Sequence, residues 1–338
     1  MDMSIPLVAE QRAAFRRGAV PAPRQVTDGV WSIPVPLTGS PLVSMTMYLV
    51  ETAEGLVLID AGYDDGPAWR ALLAGLEAAG AAPSEVRTAV LTHNHPDHIG
   101  LADRLRREGG TAIAVHPLDC FAAQRSVRGG FLDQLERSLR IAGVPEAETE
   151  AMMRSARRVA RHDESLVPDL LVTEGELPGG AGLEVLHTPG HTYGHVSLLD
   201  RGRRLLFTGD LVMPSGDTQL APVSLEEDDP FRDLSASLRR IGDLAVDLVL
   251  PGHQYPIEDH ARRTREAEAA RGERLAEVER AARSAGTAWE VAALLTWPRP
   301  WADMRTTAKR FAVVQTLGHL RALQRGGSVP GSAHEASS

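Results

Sequence analysis

The segment from Thr92 to His98 constrains this chain more than any other. It places three histidines and one aspartate within six residues, at His93, His95, Asp97 and His98. Imidazole and carboxylate groups are the ligands that first-row divalent metals prefer. The segment follows an apolar, β-branched run that predicts a buried strand, and the residues after it predict a helix. A loop between a strand end and a helix is where α/β folds place their chemistry.

Four other segments repeat the order of a short apolar strand, a turn with glycine and a potential metal ligand. Their candidate ligands are Asp60, His191, Asp210 and His253, each with a glycine within two residues. Glycine allows the backbone to turn sharply and to approach a site closely. The recurrence predicts that these residues belong to one metal site.

With all five motifs in this order, residues 25 to 255 resemble the metallo-β-lactamase fold superfamily, and in particular its glyoxalase II and thioesterase-like branch. The resemblance implies an α/β fold, a four-layer αβ/βα sandwich of two mixed sheets with the metals at one edge. It also implies two divalent metal ions, with zinc expected before manganese or iron.

The resemblance assigns ligand roles to seven residues: His93, His95 and His191 for the first ion, Asp97, His98 and His253 for the second, and Asp210 as the bridge between them. Asp97 and Asp210 are then the expected catalytic residues. The implied reaction is hydrolysis of an ester or thioester by a metal-bridging hydroxide.

Several residues near the motifs are expected to support the ligands or the substrate. Ligating histidines usually donate their second N–H to a carboxylate or a carbonyl, and Asp60 and His195 fit that orienting role. Tyr193 and Met213 are expected to contact the substrate. Cys120 is expected to be a buried small residue, because a metal-activated water makes a protein nucleophile unnecessary.

The favoured substrate is a thioester or ester of the acyl-CoA, acyl-carrier or glutathione-thioester type. A lactonase is disfavoured because Leu211, Val212 and Met213 follow Asp210, where lactonases of this superfamily commonly place a tyrosine. A mononuclear iron persulfide dioxygenase would use only part of the ligand set. An endoribonuclease is disfavoured by the net charge of −9, and a non-enzymatic binding module by the complete set of ligands.

Composition changes along the chain predict its domain organisation. The expected units are a flexible N-terminal arm over 1–24, a catalytic domain over 25–257 with a helical insertion near 117–165, a winged-helix-like domain over 258–330 and a disordered tail over 331–338. The insertion is interpreted as a lid that carries substrate specificity. The C-terminal domain is expected to pack or dimerise rather than bind DNA, because few exposed basic residues are expected there beyond Arg305, Lys309, Arg310, Arg321 and Arg325.

Composition also bears on the cellular compartment in which the protein is expected to function. Apolar residues make up 43% of the sequence, enough for a sizeable core, and the single cysteine excludes an intramolecular disulfide. The N-terminal segment lacks the apolar stretch of a secretory signal, and no segment approaches ~18 consecutive apolar residues. We therefore expect a cytoplasmic protein with no membrane or nucleic-acid partner. Its expected substrate is a small-molecule acyl compound, carried on CoA or a carrier protein, and a homodimer is a further expectation.

Overall fold

The computed structural model describes residues 6–38, 40, 42–157 and 166–326. The strands in this part of the chain are β1 (Arg24–Thr27), β2 (Val30–Pro36), β3 (Ser44–Thr52), β4 (Gly55–Ile59), β5 (Val86–Val90), β6 (Ala112–Val115), β7 (Leu170–Leu171), β8 (Gly175–Glu176), β9 (Leu183–His187), β10 (Val196–Asp200), β11 (Leu205–Gly209) and β12 (Leu248–Pro251). Each longer strand coincides with an apolar run of the sequence, as the pattern predicts.

The helices in this part of the chain are α1 (Pro6–Arg16), α2 (Gly66–Ala78), α3 (Pro96–Ile99), α4 (Ala102–Gly109), α5 (Phe121–Gln124), α6 (Phe131–Ile141), α7 (Glu146–Arg157), α8 (Pro230–Gly242), α9 (His260–Ala282), α10 (Ala288–Leu294) and α11 (Thr306–Gln324). Most of the helices lie between strands, while α5 to α7 follow one another in the insertion and α9 to α11 follow one another after the last strand. Within the described residues, no helix combines the length and the apolar character needed to cross a bilayer.

The strands form two mixed sheets. The first runs from β1 to β7 in chain order, antiparallel from β1 to β4 and parallel from β4 to β7. The second has the order β12-β11-β10-β9-β8, with only β11 and β12 parallel. Parallel neighbours need crossover connections, which α2, α4 and α8 supply.

The two sheets pack face to face and helices cover both outer faces. Between the sheets, Ile59 and Val90 of the first belong to one buried cluster with Phe207 of the second. Leu72 of α2 lies in the cluster on one outer face, and Leu238 of α8 lies in the cluster on the other. The predicted four-layer αβ/βα sandwich is therefore confirmed.

The N-terminal segment begins with a helix that packs on the rest of the protein, so the prediction of a flexible arm is wrong for residues 6–16. Helix α1 buries Leu7, Val8, Gln11 and Ala14. Val8 joins the cluster between the sheets, and the Gln11 side-chain amide donates to Ser32 Oγ at 2.8 Å. The buried positions follow helical spacing, a signal that the surrounding charged residues obscured.

The helical insertion and the C-terminal helices share one core, although the sequence predicted two separate units. Leu139 of α6 and Met152 of α7 belong to the same buried cluster as Val313 and Leu317 of α11. The wing of the expected winged helix is missing from residues 258–326, which contain helices and a short 3₁₀ turn only. The rest of that unit and the tail over 331–338 lie outside the described residues, as does the end of the insertion, and the domain boundaries themselves stay predictions.

Candidate metal centre

The predicted ligands meet at one edge of the sandwich, where strands end. Asp60 follows β4, and His93 lies three residues beyond β5. Asp210 follows β11 directly, and His253 lies two residues beyond β12. Because the strands of each pair, β4 with β5 and β11 with β12, are parallel, their carboxyl ends point to the same edge.

The ligands fall into two groups, each with its ligand atoms within 4.8 Å of one another: His93, His95, His191 and Asp210 in the first, and Asp97, His98 and His253 in the second. In the first group, His191 Nε2 lies 3.0 Å from His95 Nδ1. In the second, the Nε2 atoms of His98 and His253 are 3.4 Å apart. A tetrahedral ion with nitrogen ligands at about 2.0–2.1 Å separates them by roughly 3.3 Å. Both spacings fit ligands that converge on an ion.

The carboxylate of Asp210 lies between the two groups. Its Oδ1 is 3.3 Å from His98 Nε2 and 3.4 Å from His253 Nε2, and its Oδ2 is 3.7 Å from His191 Nε2. Among the described residues, Asp210 Oδ1 and His93 Nε2 are buried atoms without a hydrogen-bond partner. Buried polar atoms nearly always have a partner, so these two fit ligand atoms of divalent ions.

Four of the ligand histidines direct Nδ1 at an oxygen within 3.0 Å: His93 at Thr92 Oγ1, His98 at Asp60 Oδ2, His191 at the Gln219 carbonyl and His253 at the Ser44 carbonyl. A carbonyl or carboxylate only accepts, so the imidazole donates from Nδ1 and keeps the Nε2 lone pair free. His95 is different, because its Nδ1 faces the ligand group.

Asp60 holds the loop that carries the first ligands. Its Oδ1 accepts hydrogen bonds from Thr92 N at 2.7 Å and Thr92 Oγ1 at 2.9 Å, while its Oδ2 lies 2.8 Å from His98 Nδ1. The backbone of Asp60 has a φ of 65°, a left-handed conformation that aspartate tolerates better than most residues. The structure thus places the Asp60 carboxylate in contact with the imidazole of His98.

His195 supports Asp210 from behind. Its Nδ1 lies 2.9 Å from Thr188 Oγ1, and the Asp210 backbone N–H donates to its Nε2 at 3.3 Å. Gly209 permits this approach, because a Cβ there would lie 2.5 Å from Thr92 Oγ1 and 2.9 Å from His195 Nε2. Its φ of 46° also favours glycine.

Burial and neighbouring charges set the protonation states of the site. Burial and the nearby imidazoles lower the pKa of His93, and mainly burial lowers the pKa of His95 to about 3. Burial raises the pKa of the Asp210 carboxyl, but the positive charges of His253 and His98 outweigh it, so the pKa falls well below its usual range. Against the effect of burial, the carboxylates raise the pKa values of His98 and His253. His93 and His95 are therefore already in the neutral form that binds a cation, whereas His98 and His253 would release a proton on binding.

Asp119 joins the two ligand loops, a role that the sequence did not reveal. It accepts hydrogen bonds from Asn94 N at 3.1 Å, Thr192 Oγ1 at 2.5 Å and Gly194 N at 2.7 Å. Burial raises the pKa of Asp119 to about 6, against the effect of these hydrogen bonds. Asp119 follows β6 by four residues, so its position near a strand end was the available signal.

A cavity of about 510 Å³ opens beside the ligands. His95, Asp97, His191 and Asp210 line one side of it, while its other walls include Leu42, Asn94, Leu118, Asp119, Phe121, Phe131, Gln134, Thr192, Tyr193, Met213, Asp217, Gln219, Pro222, Arg310 and Phe311. The insertion therefore contributes to the cavity wall through Phe121 and Phe131. A larger depression of about 650 Å³ between α8 and α9 contains none of the ligands.

Tyr193 and Met213 both line the cavity. The Tyr193 hydroxyl donates to the Pro222 carbonyl at 2.8 Å, and the Arg128 guanidinium lies 3.9 Å from the centre of its ring. Tyr193 therefore presents its ring to the cavity, with its hydroxyl proton already engaged. Cys120 is buried and has no thiol partner, since it is the only cysteine of the chain.

Comparison with known proteins agrees with this arrangement. Residues 42–253 match the metallo-beta-lactamase superfamily. The probable metallo-hydrolase YqjP of Bacillus subtilis is 31% identical over 68% of this chain and 73% of its own length. The human acyl-coenzyme A thioesterase MBLAC2 is 28% identical over 61% of this chain and 72% of its own length. The crystal structure of the metallo-beta-lactamase family protein TTHA1429 from Thermus thermophilus is similar with a TM-score of 0.71 and 30% identity, over 90% of this chain and 95% of that one.

Proposed function

This chain belongs to the metallo-beta-lactamase superfamily, and we propose that it is a dinuclear metal-dependent hydrolase of thioesters or esters. The observation that carries the proposal is Asp210, whose carboxylate lies between two groups of buried ligand atoms. The names of its relatives support it, since one is a probable metallo-hydrolase and another an acyl-coenzyme A thioesterase. Zinc is the metal that we propose first.

When bound, two divalent ions supply Lewis acidity toward a carbonyl oxygen and lower the pKa of water toward neutrality. The residues of the chain prepare for that chemistry. Asp60 and the carbonyls of Ser44 and Gln219 hold the ligand imidazoles in one orientation. Asp119 fixes the two ligand loops relative to each other. The site is thus preorganised, which lowers the cost of arranging charge during the reaction.

The cavity wall supports an acyl substrate. Phe121, Phe131 and Phe311 contribute apolar side chains to its lining, and such a lining excludes water from an acyl chain. We propose that the substrate is a small acyl ester or thioester, on CoA or on a carrier protein, in a cytoplasmic protein that functions alone or as a homodimer.

The alternatives fit the site less well. A mononuclear iron dioxygenase would have no use for Asp97, His98 and His253, which form a complete second ligand group. An RNA substrate is disfavoured because its phosphate backbone needs several cationic contacts, whereas the charged lining of the cavity includes Asp97, Asp119, Asp210 and Asp217 but only one arginine. A lactone is not excluded by geometry and belongs in the substrate panel.

The first test is the metal content of the full-length protein after purification without chelators. We expect about two equivalents of divalent metal per chain, and hydrolysis within a panel of thioesters, esters and lactones. Asp210→Asn should lower metal content and abolish turnover, whereas Asp243→Asn, an exposed change of the same kind, should alter neither.

Two outcomes would contradict the proposal. One is an Asp210→Asn protein that retains both metals and full turnover. The other is a single iron per chain with oxygen consumption in the presence of a persulfide, which would establish the dioxygenase instead.

A further inference from the structure

Arg310 of α11 is a buried cation that faces the cavity beside the metal ligands. We propose that it binds an anionic group of the substrate, so that the ester or thioester carries a carboxylate or a phosphate. The inference rests on the proposed hydrolase function and adds to it the chemical class of the substrate.

The guanidinium of Arg310 has no counterion in the part of the chain that the structure describes. The residue is only 7% exposed, and its Nη1 is buried without a hydrogen-bond partner. The ring of the adjacent Phe311 lies 5.1 Å from the guanidinium. Burial lowers the pKa of Arg310, and no neighbouring carboxylate opposes that effect. An unpaired buried charge is energetically costly. Such a charge is expected at a binding site, where a ligand provides the missing partner.

Other arginines in this part of the molecule have at least one oxygen partner, although Nη1 of Arg128 and both Nε and Nη1 of Arg271 are also buried without a hydrogen-bond partner among the described residues. Arg128 pairs with Asp228 at 2.8 Å, Arg263 donates to the Met213 carbonyl at 2.7 Å, and Arg271 donates to the Phe231 carbonyl at 3.0 Å. Each therefore has an oxygen partner within the protein. Arg310 lacks one, although it lies in the same helical part of the molecule.

One carboxylate of the same cavity interacts with arginines other than Arg310. Asp217 lines the same cavity. The positive charges that lower the pKa of its carboxyl, against the larger effect of burial, are those of Arg271, Arg263 and Arg274. Arg310 is therefore left for an anion that enters the cavity.

The surroundings of Arg310 suit an oxyanion. Phe131 and Gln134 of α6, which packs against α11, and Phe311 of α11 line the same cavity. Apolar walls lower the local dielectric constant and strengthen a charge pair. Guanidinium presents two parallel N–H groups that match a carboxylate or phosphate. Because Asp210 and Arg310 line the same cavity, one substrate can present its reacting carbonyl to the metal ligands and its anionic group to Arg310.

The anion can belong to the acyl group or to the leaving group, and paired substrates distinguish these sources. We would measure kcat/KM for butanoyl and succinyl thioesters, each on N-acetylcysteamine, which is uncharged, and on CoA, which carries phosphates. Recognition of the acyl group predicts a preference for succinyl over butanoyl on either thiol. Recognition of the leaving group predicts a preference for CoA over N-acetylcysteamine with either acyl group.

In the full-length protein, we expect one of these preferences to be about 10- to 100-fold. Arg310→Met should reduce the preference to near unity, and Arg310→Lys should restore it in part because the charge returns without the planar fork. Arg305→Met removes a charge from the exposed start of the same helix and should leave the preference unchanged. Equal preferences in the wild-type and Arg310→Met proteins would overturn the inference.

A binding measurement separates this inference from the hydrolase proposal. Succinate and free CoA would be titrated into the wild-type and Arg310→Met proteins by calorimetry. Tighter binding of one of them to the wild-type protein, by about 10-fold or more, is expected whether or not the protein turns over a thioester. Turnover of neutral thioesters without any difference in anion binding would leave the hydrolase standing and overturn the role of Arg310. A difference in anion binding without any hydrolysis would support the role of Arg310 and overturn the hydrolase proposal.

Discussion

Replacing Asp60 by asparagine should weaken one metal site and spare the other. Asparagine keeps an oxygen that can accept the Thr92 N–H, now 2.7 Å from Asp60 Oδ1. It also tolerates the left-handed backbone at this position, where φ is 65°. The fold is therefore not strained by the change. The amide nitrogen, however, replaces the oxygen that lies 2.8 Å from His98 Nδ1.

The consequence follows from the tautomer of His98. Two N–H groups cannot face each other at this distance, so His98 must accept at Nδ1 and carry its proton on Nε2. That proton occupies the lone pair which faces His253 Nε2 and Asp210. Loss of such an orienting partner typically costs 10- to 100-fold in metal affinity, or about 1.4 to 2.7 kcal/mol.

Competition against a chromophoric zinc chelator would measure the two affinities separately. We expect one site with the wild-type affinity and one weakened by about 10- to 100-fold. Asp65→Asn is the matched control, because Asp65 caps α2 by accepting from Ala68 N at 2.7 Å and asparagine caps equally well. Unchanged affinity at both sites in Asp60→Asn would refute the orienting role of Asp60.

Three further changes test other parts of the structure. Gly252→Ala would place a Cβ 2.7 Å from His98 Cε1 and should displace that imidazole from its ligand group. Elemental analysis should then find about one metal ion per chain rather than two, and two ions per chain would contradict this. Burial lowers the pKa of His319 from 6.5 to about 4, so the stability that its neutral form contributes is present above pH 6.5 and is lost as the pH falls through 4. The difference in free energy of unfolding between the wild-type and His319→Leu proteins, measured in urea, should therefore change by about 3 kcal/mol between pH 7 and pH 4. A difference that is the same at both pH values would contradict this. Met152→Ala should lower the free energy of unfolding by about 2 to 5 kcal/mol without altering metal content, because Met152 is fully buried in the helical core.

The elements with strong local signals were predictable. Examples are β6 at 112–115, α6 at 131–141 and α11 at 306–324. Each is a run of suitable periodicity, and α6 is closed by Gly143, whose φ of 72° suits the end of a helix. Local spacing and turn chemistry determine such features, so they are legible in a single sequence.

Contacts between distant parts of the chain were not predictable in the same way. The periodicity of α7 and α11 shows that each has an apolar face, but not that Met152 of one and Val313 of the other share a core. For the same reason, the insertion and the C-terminal helices were interpreted as separate units. The backbone carbonyls of Ser44 and Gln219 orient two ligand histidines. They cannot be recognised in a sequence, because every residue has a backbone carbonyl.

Arg310 was expected on an exposed surface, together with the adjacent Lys309, and this expectation is wrong. Arg310, Val313, Val314 and Leu317 are spaced at i, i+3, i+4 and i+7, so they share one face of α11. That face is the buried one. This spacing was the signal that Arg310 lies on the apolar face of the helix, but the interpretation considered only that arginine is basic.

The two functional parts of the molecule depend on different cores. Asp60, Asp210 and His253 take their positions from strand ends in the two sheets, whose facing surfaces form one cluster. Arg310 and Phe131 take theirs from α11 and α6, which pack in the helical cluster. Because few residues belong to both, the helical wall can change its chemistry without displacing a metal ligand. This separation explains why motifs at strand ends identify the metal ligands in a single sequence, whereas the helical wall, which we propose contacts the substrate, has no motif of its own.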